Sequence, residues 1–271
     1  MISVIIPSYN RAWCLKRAVD SVLGQTWSDL ELIIVDDGSL DNTRKLVNNI
    51  YDNRIRYVYQ DNQGPASARN LGLELARGSL AAFLDSDDCW LPEKLELQAR
   101  FMSEAGFRIS QTEEIWIRHG KRVNPMRKHA KPGGWIFEKS LDLCLVSPSC
   151  VVMDMDLVRE GYVFDADFSA CEDYDLWLRI SLKHPVGLVP RALTVRYGGR
   201  GDQLSGMITG QDLFRIYSLL KLEKTPDLDP GQRQSLERVL LKKAGVYIRG
   251  CLKRGRQEEA ARIKNLLQGR I

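Results

Sequence analysis

The chain has 271 residues, of which 44% are hydrophobic and 27% are charged. These proportions are ordinary for a folded globular protein and exclude wholesale disorder, and the length allows one large α/β domain or two small ones. The formal net charge is +4, but residues 211–271 contain 14 basic and 7 acidic side chains, so the first 210 residues are slightly acidic. A basic surplus confined to the tail disfavours nucleic-acid binding, and we expect no nucleic acid among the partners.

The six cysteines form no CxxC pair and no cluster with metal-ligand spacing, which is typical of reduced thiols in the cytoplasm. A strand pattern that begins at Ile2 leaves no room for a signal peptide. No apolar run approaches the roughly 18 residues that span a bilayer. The sequence therefore predicts a cytoplasmic protein that is soluble or, at most, peripheral to the inner face of the membrane.

Short apolar runs alternate with amphipathic stretches in the first hundred residues. Four strand patterns occupy residues 2–7, 30–35, 55–59 and 79–84. Four helical patterns follow them in turn, at about 12–24, 41–50, 65–77 and 92–105. This alternation predicts βαβ units and a mainly parallel sheet covered on both faces. Asp41 suits the N-cap of the second helix, and Pro92 suits the first turn of the fourth.

The rest of the chain changes character twice. Residues 107–123 predict antiparallel strands, and further extended segments are expected at 150–153 and 186–197. A helix is predicted at 172–182. A glycine-rich, charged segment at 198–206 indicates a mobile loop. Helical periodicity then returns in the tail, at 209–223, 230–249 and 256–268.

Two acidic clusters directly follow predicted strands. Residues 36–39 (Asp-Asp-Gly-Ser) follow the second strand, and residues 85–88 (Asp-Ser-Asp-Asp) follow the fourth. Ligands of open α/β sheets bind at the carboxyl ends of strands. A carboxylate of the first cluster would accept hydrogen bonds from a base or ribose, and the second cluster would hold a divalent cation such as Mg²⁺. Solvated turns that end strands have the same composition, so this alternative stays open.

A third acidic cluster begins the predicted helix at 172–182. Asp173, Trp177 and Ile180 share one helical face, so a carboxylate and an aromatic ring would face inward together. Acids of a first turn also complement the helix dipole, and such rings also fill cores. Upstream, the small residues of 64–72 would let a ligand approach, with Arg69 facing a phosphate, or would simply pack a helix tightly.

Several common sites are absent from the sequence. The first strand leads into residues 8–11 (Ser-Tyr-Asn-Arg) without GxGxxG, which disfavours a nicotinamide dinucleotide site. The motifs GxxxxGK[ST], GxSxG and HExxH do not occur. His119, His129 and His184 lie far apart and are expected at the surface.

Five stretches of the sequence, taken in chain order, resemble the inverting family 2 glycosyltransferases of the GT-A fold. The resemblance covers roughly residues 2–205, and it implies an α/β fold of GT-A type, with a mostly parallel sheet and flanking helices. A Rossmann-like, nucleotide-sugar-binding half would span 1–105, an acceptor-binding half 106–208, and a helical C-terminal tail 209–271. The matching stretches are residues 3–10 (Ser-Val-Ile-Ile-Pro-Ser-Tyr-Asn), 36–39, 64–72, 83–88 with Pro92, and 172–177.

The resemblance implies transfer of a hexosyl group from a nucleotide diphosphate sugar to an acceptor hydroxyl, with inversion at the anomeric carbon. The expected donor is a UDP-sugar, and the expected cofactor is Mg²⁺ or Mn²⁺. The acceptor would be a glycan, a lipid-linked sugar or a small molecule, which suits the synthesis of cell-surface polysaccharides. Because the QxxRW signature of processive synthases is missing, we expect addition of a single sugar.

The resemblance also assigns roles to individual residues. Asp173 would be the general base, with Glu172 as second choice. Asp85 and Asp87 would correspond to the DXD motif, with Asp87 the more direct metal ligand. Trp177 and Arg179 would shape the floor of the acceptor pocket. The residues expected to contact the nucleotide sugar are Pro7, Tyr9, Asn10, Asp37, Arg69, Asp85 and Ser86.

One departure from the family concerns the loop after the last strand. Many members carry a histidine there that assists the metal or the phosphates, whereas residues 196–205 contain none. Arg200 or Asp202 would be the substitute.

The tail lies outside the resemblance and carries two helical apolar stripes, one of which contains Leu213, Ile216 and Leu220. Such stripes pack on the body of a protein or pair two subunits in a homodimer. An alternative is peripheral membrane contact through basic residues that attract anionic lipid. Those residues are Lys242, Lys243, Arg249, Lys253, Arg254 and Arg256.

Two other functions remain open on the sequence alone. A nucleotidyltransferase would also bind nucleotides at such a sheet edge, although no glycine-rich, lysine-bearing loop follows the first strand. A catalytically silent module that binds a nucleotide sugar or a glycan would keep the same fold without turnover.

Overall fold

One mixed sheet of nine strands organises the protein, in a computed structural model that describes residues 1–124, 126–199, 201 and 210–267. The strands are β1 (Ile2–Ser8), β2 (Leu30–Asp37), β3 (Ile55–Gln60), β4 (Leu80–Phe83), β5 (Cys89–Trp90), β6 (Ile109–Arg118), β7 (Lys121–Val123), β8 (Val151–Asp154) and β9 (Gly187–Gly198).

Ten α-helices occur in the described residues, in addition to two short 3₁₀ turns. They are α1 (Leu15–Leu23), α2 (Thr43–Asn48), α3 (Pro65–Leu75), α4 (Lys94–Ala105), α5 (Phe137–Asp142), α6 (Met155–Arg159), α7 (Glu172–Lys183), α8 (Asp212–Glu223), α9 (Pro230–Lys253) and α10 (Gln257–Leu266).

The strand order is β3-β2-β1-β4-β8-β6-β9-β5, with β7 paired to β6. The first four strands are parallel, as the alternating pattern predicted. Strands β6 and β7 form the expected antiparallel pair, and β8 is antiparallel to β4. The chain leaves β1 toward β2 on one side and later returns to β4 on the other. This reversal of strand order at β1 creates the crevice in which ligands of α/β sheets bind.

Both faces of the parallel strands are covered, which explains their nearly continuous apolar sequences. Every residue of β2 is buried, and the sheet packs between α1 and α4 on one face and α3 and α7 on the other. Helix α3 lies especially close to β1. A Cβ atom at Gly72 would stand 2.4 Å from Cγ2 of Ile5, so this small residue allows the tight packing of α3 on β1.

Two details of the predicted helix starts are wrong. Helix α2 has Asn42 at its N-cap, because Asp41 sits one position earlier and accepts hydrogen bonds from the backbone N–H groups of Thr43 and Ala12. Helix α4 begins at Lys94 with Glu93 at its N-cap, so Pro92 precedes the helix. The mobile loop expected at 198–206 and the end of the last helix at 268 fall mostly outside the described residues.

The three tail helices pack on the body rather than standing apart. Leu236, Val239 and Leu240 of α9 share a buried cluster with Ile216 of α8 and with α5 and α7. Lys243, expected on a basic surface, is 8% exposed and pairs with Asp212 of α8 instead. No helix within the described part of the chain combines the length and the apolar character needed to cross a membrane.

Candidate active site

A cleft of about 780 Å³ opens at the carboxyl ends of β1, β2 and β4. It extends to the first turn of α7 and to the start of α8. Ten of the twelve residues expected at the site line this cleft, although they come from five separate parts of the chain. They are Pro7, Tyr9, Asn10, Asp37, Arg69, Asp85, Ser86, Asp87, Glu172 and Asp173.

Asp37 ends β2 and fixes the loop that leads into α3. Its carboxylate is 3% exposed and accepts hydrogen bonds from the Gln60 amide and from the backbone N–H groups of Gln63 and Gly64. Gly38 follows with φ of +84°, and a Cβ atom there would lie 2.8 Å from the backbone nitrogen of Asn62. Only glycine therefore allows the turn that aims Asp37 into the cleft.

The end of β1 is held against the turn that follows Asp37 at the end of β2. Asn10 has φ of +53°, its backbone N–H donates to Oγ of Ser39, and its side-chain oxygen accepts from the N–H of Leu40. The ring of Tyr9 remains 45% exposed at the edge of the cleft. An exposed aromatic ring beside a fixed backbone provides a flat surface on which a planar group can stack.

The acidic segment after β4 places each carboxylate differently. Asp85 accepts a hydrogen bond of 2.8 Å from Arg69. Asp87 is half-buried in the cleft, and its carbonyl oxygen accepts from Arg17. Asp88 points inward, is 3% exposed, and accepts from Oγ of Ser149 and from the backbone N–H of Tyr197. Burial raises the pKa of Asp88 well above its usual value, although Arg196 opposes the shift.

Arg69 joins two of the acidic clusters through its guanidinium group. Its Nη2 lies 2.8 Å from Asp85, its Nη1 lies 2.7 Å from Glu172, and the residue is 5% exposed. Burial alone would lower the pKa of Arg69, but the two carboxylates raise it. A buried arginine with two fixed carboxylates is a rigid link, so it fixes the distance between the end of β4 and the start of α7.

Asp173 stands in the first turn of α7, two positions after a residue with a left-handed backbone conformation. Cys171 has φ of +60°, in the left-handed region, and it turns the chain into the helix. Oδ1 of Asp173 accepts a 2.7 Å hydrogen bond from the N–H of Tyr174. Burial, reinforced by the like charge of Glu172, raises the pKa of Asp173 to about 6. A carboxylate with this pKa can take up a proton near neutral pH.

The prediction that Trp177 and Arg179 form the floor of the acceptor pocket is wrong, because neither lines the cleft. Trp177 is 2% exposed and packs against Phe83 and Phe164 in the core. Arg179 pairs with Asp175 and lines a separate cavity of about 370 Å³ between α7 and α8. The periodicity that placed Trp177 inward was right, but the interior at that turn is apolar core.

Several cleft residues were missed by sequence reasoning. Trp116 and Arg196 line the cleft from β6 and β9, and both contact the buried carboxylate of Glu114. Burial would raise the pKa of Glu114, but Lys131 and Arg196 lower it to about 2. Arg215 reaches the cleft from α8. These residues lie on amphipathic or alternating segments that carry no motif, so no local signal distinguishes them.

The carboxylates that follow β4 are suited to a hard cation that is also coordinated by a bound ligand. In the described residues, no group of three or more His, Cys, Asp or Glu side chains is arranged to hold a metal alone. Mg²⁺ needs only one or two protein carboxylates when phosphate oxygens and water complete its shell. Asp85 and Asp87 both line the cleft and would be the carboxylates available for such a cation, whereas Asp88 points into the interior. Arg200 and Asp202, the expected substitutes for a missing histidine, lie outside the described residues.

Comparison with known proteins identifies the family of the chain. The family model for glycosyl transferase family 2 matches residues 3–155. An uncharacterized glycosyltransferase of Rickettsia felis is 38% identical over 201 residues, which cover 73% of this chain and 33% of that protein. The chain thus spans about a third of the length of this relative. WfgD of Escherichia coli is named a UDP-Glc:alpha-D-GlcNAc-diphosphoundecaprenol beta-1,3-glucosyltransferase. It is 36% identical over 181 residues, covering 66% of this chain and 69% of WfgD.

Solved structures share the architecture at lower identity. Staphylococcus aureus TarS in complex with UDP-GlcNAc superposes with a TM-score of 0.73 and 20% identity, covering 89% of this chain and 71% of that one. The mannosyltransferase PcManGT of Pyrobaculum calidifontis, in complex with GDP-Man and Mn²⁺, gives a TM-score of 0.61 and 16% identity, covering 93% and 75%. The fold is therefore of the GT-A type that the motifs predicted, and the chain belongs to glycosyl transferase family 2.

Proposed function

We propose that the protein is a metal-dependent inverting glycosyltransferase that moves one sugar from a nucleotide diphosphate sugar to an acceptor hydroxyl. The observation that carries the proposal is the pair of ion pairs that Arg69 makes with Asp85 and Glu172. It brings Asp85, beside the proposed metal ligand Asp87, and Glu172, beside Asp173, into one cleft. A donor held at one end would then present its anomeric carbon to an acceptor held at the other.

Donor binding is proposed for the half formed by residues 1–105. Tyr9 and Pro7 would lie against the base, Asp37 and Asn10 would contact the base and ribose, and Ser86 with Arg69 and Asp85 would contact the diphosphate and its sugar. Support for this arrangement comes from the fixed loop around Asp37 and from the exposed ring of Tyr9. We propose a UDP-sugar as donor, because the relative WfgD is named for its use of UDP-Glc.

Asp87, assisted by Asp85, would hold Mg²⁺ or Mn²⁺ at the diphosphate. When bound there, such a cation supplies Lewis-acid stabilisation of the negative charge that develops on the leaving nucleoside diphosphate. The half-buried position of Asp87 in the cleft supports this role. Arg69 would keep the neighbouring Asp85 carboxylate in place.

Asp173 would act as the general base. As the acceptor oxygen forms its bond to the anomeric carbon, the bond from that carbon to the diphosphate oxygen breaks, and Asp173 takes the hydroxyl proton. A positioned base contributes about 10²–10⁴-fold to such a step. Attack on the face opposite the leaving group inverts the anomeric centre. Glu172 is held by Arg69, so it would tune Asp173 rather than replace it.

The acceptor would enter through the half formed by residues 106–208, next to Asp173. We propose a lipid-linked sugar rather than a soluble glycan or small molecule, since WfgD is named for an acceptor of that class. Val146, Pro148 and Ala170 of this half line the same cleft as Asp173, as does Gln211 at the N-cap of α8.

Two variants test the assignment. Asp173→Asn should abolish transfer while UDP-sugar still binds, because the amide cannot take a proton. Asp87→Ala should lose the Mn²⁺-dependent part of UDP-sugar binding, measured by titration calorimetry with and without Mn²⁺. Asp167→Asn, at an exposed acid six residues before Asp173, is the matched control and should behave as the unaltered protein.

The products decide between the candidate functions. A glycosyltransferase releases the nucleoside diphosphate together with a glycosylated acceptor, whereas a nucleotidyltransferase releases pyrophosphate. Donor binding without turnover against any lipid-linked, glycan or small-molecule acceptor would indicate a silent binding module. Near-normal transfer by Asp173→Asn would refute its role as base.

We further propose that α9 contacts the membrane on which such an acceptor lies. Its outer face exposes Arg238, Lys242, Arg249 and Lys253 together with Val246, which is 50% exposed. Exposed cations beside apolar side chains favour binding to anionic lipid. Arg254 and Arg256 extend the basic surface beyond the helix.

Point substitutions suit this test better than deletion of residues 225–271, because the deletion would remove the buried cluster of α9. The double variant Arg249→Glu, Lys253→Glu should lose co-sedimentation with vesicles that contain phosphatidylglycerol. Vesicles of phosphatidylcholine alone should not bind either protein. Equal sedimentation of both proteins with anionic vesicles would refute the membrane contact. A doubled mass in sedimentation equilibrium, lost in this variant, would assign the same face to a homodimer.

A further inference from the structure

The tail contributes a cation to the candidate active site. Helix α8 packs on α7, and Arg215 in its first turns lines the cleft together with Gln211. The Cys171 thiol lies 3.8 Å from the carbonyl oxygen of Gln211, so the starts of α7 and α8 are adjacent. Asp173 is the second residue of α7 and Arg215 the fourth of α8, and both line the same cleft.

The charge around Arg215 is only partly balanced. Nη1 of Arg215 lies 3.0 Å from Oδ1 of Asp212, and the same oxygen lies 3.6 Å from Nζ of Lys243. Lys243 donates a hydrogen bond to the carbonyl oxygen of Asp142, whose carboxylate pairs with Lys242. Within the described residues, the two partly buried cations Arg215 and Lys243 therefore share the carboxylate of Asp212. Burial lowers the pKa of Lys243, as expected for a cation with incomplete compensation.

Two other arginines of the cleft have more carboxylate partners. Arg69 lies between Asp85 and Glu172, and Arg196 lies 3.4 Å from Glu114 and 4.0 Å from Asp88. By contrast, the described part of the chain gives Arg215 one carboxylate, that of Asp212, which is shared with Lys243. A partly buried guanidinium group at the cleft that shares its carboxylate with a second cation is suited to an anion.

We propose that Arg215 binds an anionic group of the acceptor, a phosphate or diphosphate, beside the hydroxyl that reacts. The proposal rests on the proposed function, and it names the acceptor class as a sugar phosphate. The planar guanidinium group matches two phosphate oxygens at once, which a lysine cannot do. Because Arg215 and Asp173 line the same cleft, an anion bound to Arg215 would orient the acceptor sugar relative to the base.

The experiment compares two probes that differ only in charge. One is an alkyl diphosphate ester of α-GlcNAc, and the other is the α-GlcNAc glycoside of the same alkyl alcohol. Each is titrated into the full-length protein by calorimetry, with UDP and Mg²⁺ saturating the donor site. We expect the diphosphate probe to bind at least tenfold more tightly to the unaltered protein. Arg215→Gln should reduce that preference to near unity, and Arg215→Lys should retain part of it.

Arg100→Gln, on the exposed face of α4, is the control for a simple loss of positive charge and should keep the preference. If Arg215→Gln does not fold, the inference is tested by Arg215→Lys and by the comparison of the two probes on the unaltered protein. Equal affinities for the two probes, or an unchanged preference in Arg215→Gln, would overturn the inference. A clear preference without any sugar transfer would instead count against the proposed function while leaving the anion site in place.

Discussion

Arg69 and Glu172 are 103 positions apart in the sequence and form a buried ion pair of 2.7 Å. The same guanidinium group holds Asp85 at 2.8 Å. One side chain on α3 thus connects the parallel half of the sheet to the helix that carries Asp173. The local charge pattern explains why an arginine is needed, since Glu172 and Asp85 would otherwise be buried close to each other without a counter-charge.

Replacement of Arg69 should therefore destabilise the protein strongly. Arg69→Met leaves Glu172 without its partner, and loss of one member of a buried pair costs about 3–5 kcal/mol. Urea denaturation should show this decrease in the free energy of unfolding. The double variant Arg69→Met, Glu172→Gln should recover part of it. A much smaller effect is expected for Arg108→Met, which breaks a more exposed pair with Glu160.

The pH dependence of transfer should follow Asp173. Its pKa is raised to about 6 by burial and by Glu172, and a general base acts only when it is deprotonated. The ratio kcat/KM for the acceptor should therefore fall about tenfold per unit as the pH decreases below that value. Glu172→Gln removes the neighbouring negative charge, so the decrease should move to lower pH. Complete loss of turnover in Glu172→Gln would instead make Glu172 the base.

Trp177 should prove structural rather than part of the acceptor pocket. Trp177→Ala leaves a cavity beside Phe83 and Phe164, and such truncations cost about 3–5 kcal/mol. Thermal unfolding should show the loss. At temperatures at which the variant remains folded, KM for the acceptor should be that of the unaltered protein, and a large increase would return Trp177 to the pocket.

Gly72 should tolerate no side chain. The Cβ atom of Gly72→Ala would meet Ile5 at 2.4 Å and force α3 away from β1, which overpacks the core at a cost of about 1–3 kcal/mol. Affinity for UDP should decrease as well, because β1 ends at the cleft. Gly245→Ala is the matched control: its Cβ atom meets only Arg249 at 3.5 Å. There alanine should stabilise α9 by about 0.5–1 kcal/mol. Equal effects of the two substitutions on unfolding would contradict the packing argument.

The parts of the molecule that could be predicted from the sequence are those that depend on local chemistry. Buried parallel strands require apolar runs, as in β2, and carboxylates after such strands meet at one edge of the sheet. This reasoning located Asp37 and Asp87 in a common cleft. It also left open whether residues 64–72 serve packing or a ligand, and the structure shows tight packing at Gly72 and places Arg69 at the cleft.

What the sequence could not supply depends on contacts between distant segments. Neither the sequence around Arg69 nor the sequence around Glu172 predicts the ion pair between them. Arg215 lies on a helix whose apolar stripe predicted packing but not the face that reaches the cleft. The prediction for Trp177 failed for a different reason. Its inward orientation was predicted correctly, but an inward side chain was assumed to lie near a ligand. In each case the deciding quantity is a tertiary distance.

The segment that carries Asp85 and Asp87 has one further consequence. Five residues, 84–88, connect β4 in the middle of the sheet to β5 at its far edge, with β8, β6 and β9 in between. The segment is not fully extended, because the backbone N–H of Asp88 donates to the carbonyl oxygen of Asp85 and closes a turn. Ser149 holds both ends of this turn, since its Oγ accepts from the backbone N–H of Asp85 and donates to the carboxylate of Asp88. Insertion of a single residue here would displace the carboxylates sideways, and homologous chains of different loop length are therefore poor donors of grafted sequence at this point.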